Sequence, residues 1–511
     1  MAMVLQEELR QVFEVIEARS CANDLNLVVH LTKARSFSFM QLKDPASFLL
    51  FLVQATKILK EMAQDESTKL HCDDAQGSRL YKLLESHTNL LLSLLHCLDD
   101  PYVVHCARKT LLGISDYLLP YKNWRTYIQL LWTASRSPTT DVLLLFRDIF
   151  KLCHERRRPS ATEVLVECLG CNMSLLITDH PSGLYWGAFL RLLITSVRIL
   201  QRQEETVLSS SFLARLKDVL PSVAKNFSRE DFTSARYAKY KSLVLLLKLS
   251  EFGDPEVSLC SLTLLSTAEP GLLQPSLRTS PKLTQSSPFQ NSDDASPELQ
   301  RRAILILLKS VITAKKTVSE DVNKLAEKVF LDWLAGEDET HGAMDDLLLS
   351  LVHLYVDEDD MLLNLLVTFM DFQSDWYKTN HYQAFFCFIC PRRVFHLFLG
   401  AICYDHTVLI DLLISETSGV SCIHYLLRCL RVIGDDWAEF LLIPRKMNTY
   451  SLETRKRKRV DELPLVHEVS SERAKLCLVH LHGSIQRLHA RNLFPYNAGP
   501  LLQRLAGCSK L

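Results

Sequence analysis

Apolar residues recur at intervals of three and four along nearly the whole chain, and this spacing restricts the fold more than any other feature. The leucines at positions 80, 83, 84, 90, 91, 94 and 95 are one example. Such spacing places apolar side chains on one face of an α-helix, whereas the two-residue alternation of β-strands is scarce. The sequence therefore predicts an all-α protein, with strand content far below the roughly 20 to 25% usual in globular proteins.

Glycine usage agrees with a helical fold. Only 15 of the 511 residues are glycine, well under the average usage of about 7%. Few positions are therefore left for the glycine-rich turns that α/β nucleotide-binding enzymes need. With 48% hydrophobic residues, a chain of this length can bury one large core or two ordinary ones.

Charge and cysteine usage restrict the partners and the compartment. The formal net charge is −1, so no global field draws the molecule to nucleic acid or to an anionic membrane. The 15 cysteines lie mostly in apolar runs, and the N-terminus lacks a signal-peptide pattern, so we expect a reducing compartment. The longest apolar stretch, 382–404, is interrupted by Pro391, Arg392 and Arg393. We expect no membrane-spanning helix and no direct contact with nucleic acid or membrane.

A degenerate repeat indicates how the helices are arranged. Pro101, Pro255 and Pro297 each follow Asp or Ser, and a small residue stands six positions on, with leucine four positions beyond it. Proline is favoured at a helix start, and a small residue lets a neighbouring helix approach closely. The pattern predicts an irregular HEAT- or armadillo-like solenoid. A compact irregular α-domain that reuses ordinary proline starts is the alternative.

Composition divides the chain into five segments. We predict a helical-repeat region (1–267), a disordered Ser/Pro-rich insertion (268–297), a central helical region (298–443), a basic linker (444–470) and a C-terminal helix with a turn (471–511). The insertion has too few apolar residues to fold. In it Ser280, Ser287 and Ser296 each precede proline, so they are candidate sites of proline-directed phosphorylation, or merely linker serines.

The linker carries five consecutive cations: Arg455, Lys456, Arg457, Lys458 and Arg459. Such a run must project into solvent or meet an acidic partner, because its charges repel one another. We favour a nuclear-import signal read by an import receptor. A solvated spacer and a local phosphate contact are the alternatives.

Catalytic and cofactor motifs were not found. The chain has no phosphate-binding glycine loop, nucleophile elbow or zinc-protease helix. Two CxxC pairs, Cys168/Cys171 and Cys387/Cys390, lie in apolar helical settings, so we interpret them as buried small hydrophobes. His480, His482 and His489 are interpreted as surface residues. We therefore predict a non-enzymatic protein without metal or cofactor.

The C-terminal segment ends in a motif that must dock somewhere. Leu478, Leu481, Ile485 and Leu488 share one helical face, and Pro495 takes the chain out of the helix between two aromatic residues. The candidate docking motif comprises Asn492, Leu493, Phe494, Pro495, Tyr496 and Asn497. Two exposed rings would form a large apolar patch. The motif either caps the fold, which we favour, or binds a partner.

The same residues carry a family resemblance. RLHARNLFPYNAGPLLQRL (487–505) resembles the C-terminal signature of the Lines protein family, and residues 398–441, with the pair Asp436-Trp437, are similar to the central block of that family. We interpret Trp437 as a core residue. A weaker likeness covers 296–308 and 359–362, whereas the first 260 residues carry little of it.

The resemblance implies an adaptor in developmental signalling and transcriptional regulation, in a Wnt-type pathway context. It also implies odd-skipped-type zinc-finger regulators as partners, and a location in both nucleus and cytoplasm. A generic helical-repeat scaffold of a non-transcriptional assembly is the alternative.

Overall fold

The computed structural model describes residues 88, 91–92, 95, 101–119, 124–134, 139–177, 182–202, 206–227, 235–268, 270–273, 296–317, 319–335, 341–376, 389–443 and 463–509. Within these ranges the secondary structure is helical and no strand is present, as predicted. The chain divides into two compact units, Met1–Lys248 and Leu249–Leu511.

The first unit contains eight helices in the part of the chain that is described. They are α1 (Pro101–Leu118), α2 (Trp124–Ala134), α3 (Thr140–Glu155), α4 (Pro159–Leu176), α5 (Gly183–Arg202), α6 (Thr206–Lys217), α7 (Leu220–Phe227) and α8 (Ala235–Ser250, whose last two residues belong to the second unit).

The helices of the first unit alternate between two layers. Helix α3 packs against α1 and α5, while α4 packs against α2 and α6. Helices α3 and α4 therefore each contact the helices two places before and after them in the chain, and they also contact each other. This is the stacking of helical pairs that defines an α-solenoid, so the predicted architecture is confirmed.

A bidentate ion pair with a buried carboxylate joins the end of α3 to α1, which lies in the same layer. Helix α3 ends at Glu155, and the guanidinium of Arg156 donates from Nε and Nη2 to the Asp116 carboxylate on α1, at 3.0 and 2.8 Å. The Asp116 side chain is only 9% exposed. A bidentate geometry of this kind offsets the desolvation of a buried carboxylate.

The second unit contains ten named helices in its described part. They are α9 (Pro255–Ser266), α10 (Pro297–Lys316), α11 (Glu320–Ala335), α12 (His341–Tyr355), α13 (Asp359–Trp376), α14 (Pro391–Ala401), α15 (His406–Ile414), α16 (Gly419–Gly434), α17 (Leu463–Ala490) and α18 (Gly499–Ser509). Residues 437–443 are also helical.

Two rows of helices run through the second unit. One row consists of α10, α13, α16 and α18, each packed against the next, and the other consists of α12, α14 and α17. Helices α9 and α11 pack against α10 at the start of the unit. The last two helices, α17 and α18, contact each other and so close the two rows.

The proline-started repeats form as predicted. Helices α1, α9 and α10 begin at Pro101, Pro255 and Pro297. The small residues six positions on, Ala107, Ser261 and Ala303, are fully buried, and so are the leucines that follow, Leu111, Leu265 and Leu307. Small side chains at these positions let the packed helices approach closely, which explains the recurrence.

A buried arginine joins helix α10 to the end of helix α12 in the second unit. Arg301 on α10 is 7% exposed. Its guanidinium lies 2.6 Å from the Glu358 carboxylate and also donates to the backbone oxygen of Leu354. The hydroxyl of Tyr355 donates to the backbone oxygen of Arg301. The partner residues lie more than fifty positions away, so only the fold reveals this network.

Three predicted boundaries differ from the structure. The division between units falls at residues 248 and 249, so α9 belongs to the second unit rather than to an N-terminal region ending at 267. Helix α17 begins at Leu463, inside the predicted basic linker.

The third difference concerns the predicted disordered insertion, whose first residues are ordered. Pro270–Leu272 form a 3-10 helix, and Leu272 is 5% exposed. Gln300 donates to the Gly271 carbonyl and the Trp333 indole to the Leu273 carbonyl, at 3.0 and 2.8 Å. Residues 274–295, with Ser280 and Ser287, lie outside the described residues.

One described helix, α5, is long and apolar enough to cross a membrane. The sequence reading overlooked this helix, and 78% of the relevant stretch is buried inside the fold. The bent pair α14 and α15, with an angle of 101° between the helices, passes the same test only when both are counted as a single span. Burial of this degree is what a core helix shows.

Candidate protein-binding site

Helix α17 presents the predicted apolar face to the second unit. Leu478, Leu481 and Ile485 are at most 3% exposed, while Leu488 is only half-buried. This face packs against α15 and α14. Most of the stabilisation of such a helix comes from burial of its apolar face rather than from intrinsic helix propensity.

Asn492, rather than Pro495, ends helix α17. Its φ of 54° lies in the left-handed region, which asparagine tolerates better than most residues. The N–H of Asn492 donates to the carbonyl of His489 at 3.0 Å, and the N–H of Leu493 to that of Leu488 at 2.9 Å. These two bonds define a Schellman motif. The prediction that Pro495 takes the chain out of the helix is therefore wrong, because the chain leaves the helix three residues earlier, at Asn492.

The two aromatic residues of the motif turn toward the unit. Phe494 is 8% exposed, and its ring meets that of Tyr496 edge to face, with 6.3 Å between centroids and 76° between planes. The Tyr496 ring is half-buried, with its hydroxyl end against Gly419 at the start of α16. A Cβ at position 419 would lie 2.7 Å from the Tyr496 hydroxyl. Only glycine leaves room for this contact.

Asn497 starts the last helix. Its side-chain oxygen accepts a hydrogen bond from the N–H of Gly499 at 3.0 Å, as expected of an asparagine before a helix. Helix α18 then packs against α16 through Leu501 and Leu505, which are at most 2% exposed. Its outward residues, Gln503 and Arg504, are exposed. A polar outer face is what a terminal unit of a solenoid needs.

Other apolar side chains in this region face solvent. Leu493 is 62% exposed although it stands next to buried Phe494. Ile414 and Val420 are 44% and 65% exposed, at the end of α15 and the start of α16. We call Ile414, Val420 and Leu493 the apolar triplet. Its first two members adjoin Leu413 and Gly419, and a Cβ built at position 419 would lie 2.7 Å from both the Leu413 backbone oxygen and the Tyr496 hydroxyl.

The C-terminal segment is also basic. No acidic residue follows Glu472, whereas six basic residues do. Arg487, Arg491 and Arg504 are exposed, and none of them is paired with a carboxylate of the described residues. The absence of acidic residues after Glu472 is visible in the sequence, but we did not predict a basic surface from it.

The Asp436-Trp437 pair of the central block has a structural role. Trp437 is 7% exposed and its ring lies 5.5 Å from that of Phe440, which confirms the core interpretation. The Asp436 carboxylate accepts the N–H of Glu439 at 3.1 Å. Arg392 of α14 contacts the carboxylates of both Asp436 and Glu439. The pair therefore caps helix 437–443 and connects it to α14.

A buried histidine lies beneath the same helix. His396 is 4% exposed, its ring centroid lies 5.4 Å from that of Phe440, and its Nδ1 is 3.4 Å from the Tyr404 hydroxyl. Its Nε2 has no hydrogen-bond partner in the part of the chain that is described. Burial lowers the pKa of His396 to about 4, because the charged imidazolium is poorly solvated there.

The first CxxC pair is not buried as predicted. Cys171 is exposed and accepts a 3.6 Å contact from the Arg215 guanidinium, while Cys168 is half-buried. Both lie on α4, whose apolar face points the other way. Burial raises the pKa of the Cys168 thiol to about 11. Cys390 is half-buried before α14, and Cys387 lies outside the described residues.

The remaining predicted positions are placed as follows. His480 and His489 are exposed and His482 is half-buried. Within the described ranges no group of three or more His, Cys, Asp or Glu side chains could hold a metal ion. Ser296 is the N-cap residue of α10, and its side chain makes no capping bond. Residues 455–459 lie outside the described ranges, so the import signal stays a prediction.

Comparisons with known proteins match two segments of the second unit to one protein family. The family model described as Lines N-terminus matches residues 257–443, and that described as Lines C-terminus matches residues 474–510. Both segments lie in the second unit, where they pack together. "Protein lines" of Drosophila melanogaster is 28% identical over 162 residues, which are 32% of this chain and 17% of that protein.

Two solved structures were also found. An engineered protein has 12% identity and a TM-score of 0.37 over 94% of this chain and 98% of its own. A crystal structure of SYS-1 has 12% identity and a TM-score of 0.29 over 99% of each chain. The two Lines matches follow the packed helices of the second unit, from α9 through residue 443 and from the middle of α17 through α18, and these two segments of the chain are accordingly similar to the Lines family.

Proposed function

We propose that this chain is a non-enzymatic helical adaptor that acts in developmental signalling and transcriptional regulation, in a Wnt-type pathway context, by binding other proteins. We further propose that it works in both nucleus and cytoplasm, with odd-skipped-type zinc-finger regulators among its partners. The two matches to Lines family models support this proposal, as does the solenoid architecture, which typically offers extended binding surfaces.

One observation carries the proposal. The two segments that match the family fold into one unit, and the end of that unit exposes the apolar triplet together with arginines that have no carboxylate partner among the described residues. Clustered exposed apolar side chains with polar surroundings mark surfaces for protein association. Phe494 and Tyr496 are turned inward, so their role in this surface is to hold its shape.

The test compares two matched variants in cells. Ile414→Ser/Val420→Ser changes the apolar triplet, and Leu175→Ser/Leu184→Ser changes two residues of the first unit that are 71% and 69% exposed. Neither pair should affect folding, because exposed substitutions usually change stability little. Tagged full-length proteins replace the endogenous one, after which recovered partners, subcellular location and a Wnt-type transcription reporter are measured.

We expect the wild type and the first-unit variant to recover signalling proteins and transcription regulators and to support the reporter. The Ile414→Ser/Val420→Ser variant should lose these partners and the reporter response. A reporter that ignores depletion of the protein, together with partners from a non-transcriptional assembly, would instead identify a generic helical scaffold.

A further inference from the structure

We infer that the C-terminal end of the second unit binds an acidic protein segment, whose carboxylates pair with Arg487, Arg491 and Arg504 and whose apolar side chain packs on Leu493. This inference rests on the proposed function and deepens it, because it names the chemical class of the partner. We call these four residues the basic surface.

Other arginines of the second unit are paired with carboxylates. Arg301 pairs with Glu358 and Arg428 with Asp371, at 2.6 and 2.7 Å, and Arg392 also has carboxylate partners. The three arginines of the basic surface have none within the described residues. Within the described ranges, the hydrogen bond that Arg487 makes goes to the Ser484 hydroxyl, at 3.0 Å. Unpaired guanidinium groups are suited to bidentate binding of carboxylates.

The three cations lie on two helix ends that pack together. Arg487 is in the last turn of α17, and Arg491 directly follows that helix, four residues further on, so the two lie on one side of its C-terminal end. Arg504 lies on α18, which packs directly against α17. Cations at a helix end also complement its dipole. The helix dipole would account for Arg487 and Arg491 at the end of α17, but it would not account for Arg504 on α18.

The position of the aromatic rings disfavours nucleic acid as the ligand. Single-stranded nucleic acid is usually held by aromatic rings on which bases stack. The Tyr496 ring is engaged by Phe494, and its hydroxyl end lies against Gly419, so neither ring of the motif is offered to a base. Exposed Leu493 instead suits an apolar side chain, and three arginines complement a short run of carboxylates.

The binding assay uses purified full-length protein and a fluorescein-labelled peptide of fifteen residues, with glutamates flanking a central Leu-Phe pair. A second peptide has glutamine in place of every glutamate. Arg487→Gln/Arg491→Gln/Arg504→Gln removes the charges, and Lys at the same three positions retains them. Lys151→Gln/Arg198→Gln/Lys225→Gln removes three exposed charges from the first unit and serves as the control.

We expect the acidic peptide to bind the wild type and the first-unit control alike. The glutamine triple variant should bind it at least about tenfold more weakly at low salt, equivalent to about 1.4 kcal/mol. The lysine variant should bind more tightly than the glutamine variant but more weakly than the wild type, because lysine keeps the charge and cannot form the bidentate pair. Leu493→Ala should lose a few-fold in affinity. Salt should weaken the wild type more than the glutamine triple variant, because screened charges carry the difference.

Several outcomes would overturn the inference. Equal binding of the glutamine peptide, or an unaffected triple variant, would show that charge pairing at this surface is not involved. Tighter binding of a twenty-nucleotide single strand or of phosphatidylserine vesicles, lost in the triple variant, would assign the surface to nucleic acid or lipid. Equal melting temperatures of all variants exclude misfolding as the cause. If the wild-type protein does not bind the acidic peptide but still supports the reporter, this inference is refuted and the proposed function is not.

Discussion

Phe494→Ala is the substitution that most directly tests whether the C-terminal motif holds the second unit together. Phe494 is 8% exposed and packs edge to face on Tyr496. Truncation would remove a buried ring and leave Tyr496 without its neighbour. Leu493→Ala is a matched control, because Leu493 is the preceding residue of the same turn and is 62% exposed.

The magnitude follows from burial. Buried phenylalanine truncations lower the free energy of unfolding by about 3 to 5 kcal/mol. This site lies at an exposed turn that can relax, so we expect the lower end, about 3 kcal/mol. For a unit of this size, each kcal/mol shifts the melting temperature by about 2 to 4 °C, so the expected fall is about 6 to 12 °C. Leu493→Ala should change stability by under about 0.5 kcal/mol.

Two measurements check this prediction. Thermal unfolding of the full chain gives the change in melting temperature, and amide hydrogen exchange shows whether protection is lost in α17 and α18. A Phe494→Ala protein that melts like Leu493→Ala, with α17 and α18 still protected, would refute the view that the motif caps the fold. Adding Tyr496→Ala should lower stability further, by less than the first change, since Tyr496 is only half-buried.

Three further outcomes are expected. Gly419→Ala would place a Cβ 2.7 Å from the backbone oxygen of Leu413, so chemical denaturation should show that the free energy of unfolding falls by about 1 to 3 kcal/mol. Gly434→Ala is the control, because position 434 has open space around it, and it should not destabilise the protein. The pKa of His396 falls from 6.5 to about 4 on folding, so the free energy of unfolding should be full above pH 6.5 and should decrease by roughly 3 kcal/mol as the pH falls toward 4. Chemical denaturation between about pH 4 and 6.5 should show a weaker dependence of stability on pH in His396→Phe than in the wild type. An equal dependence would contradict the assignment. Alanine at positions 456–459 should move the protein toward the cytoplasm in fluorescence images without changing its melting temperature, and unchanged nuclear accumulation would favour the spacer interpretation.

Sequence reasoning located helices and their faces because both depend on local rules. A proline tolerated at a helix start and a small residue six positions later predicted α1, α9 and α10 together with the positions buried in them. The burial of Trp437 was also predictable, since apolar neighbours at helical spacing surround it. Such signals span about twenty residues at most, so the sequence alone determines elements and the class of architecture.

Tertiary structure decided the side chains that give the C-terminal motif its function. Leu493 and Phe494 are adjacent and both apolar, yet one faces solvent and the other the core, because the left-handed conformation of Asn492 sets the direction in which the chain leaves α17. The room for Tyr496 comes from Gly419, 77 residues away in the sequence. Contacts between residues so far apart leave no local pattern, and their geometry exists only once α15, α16 and α18 have packed.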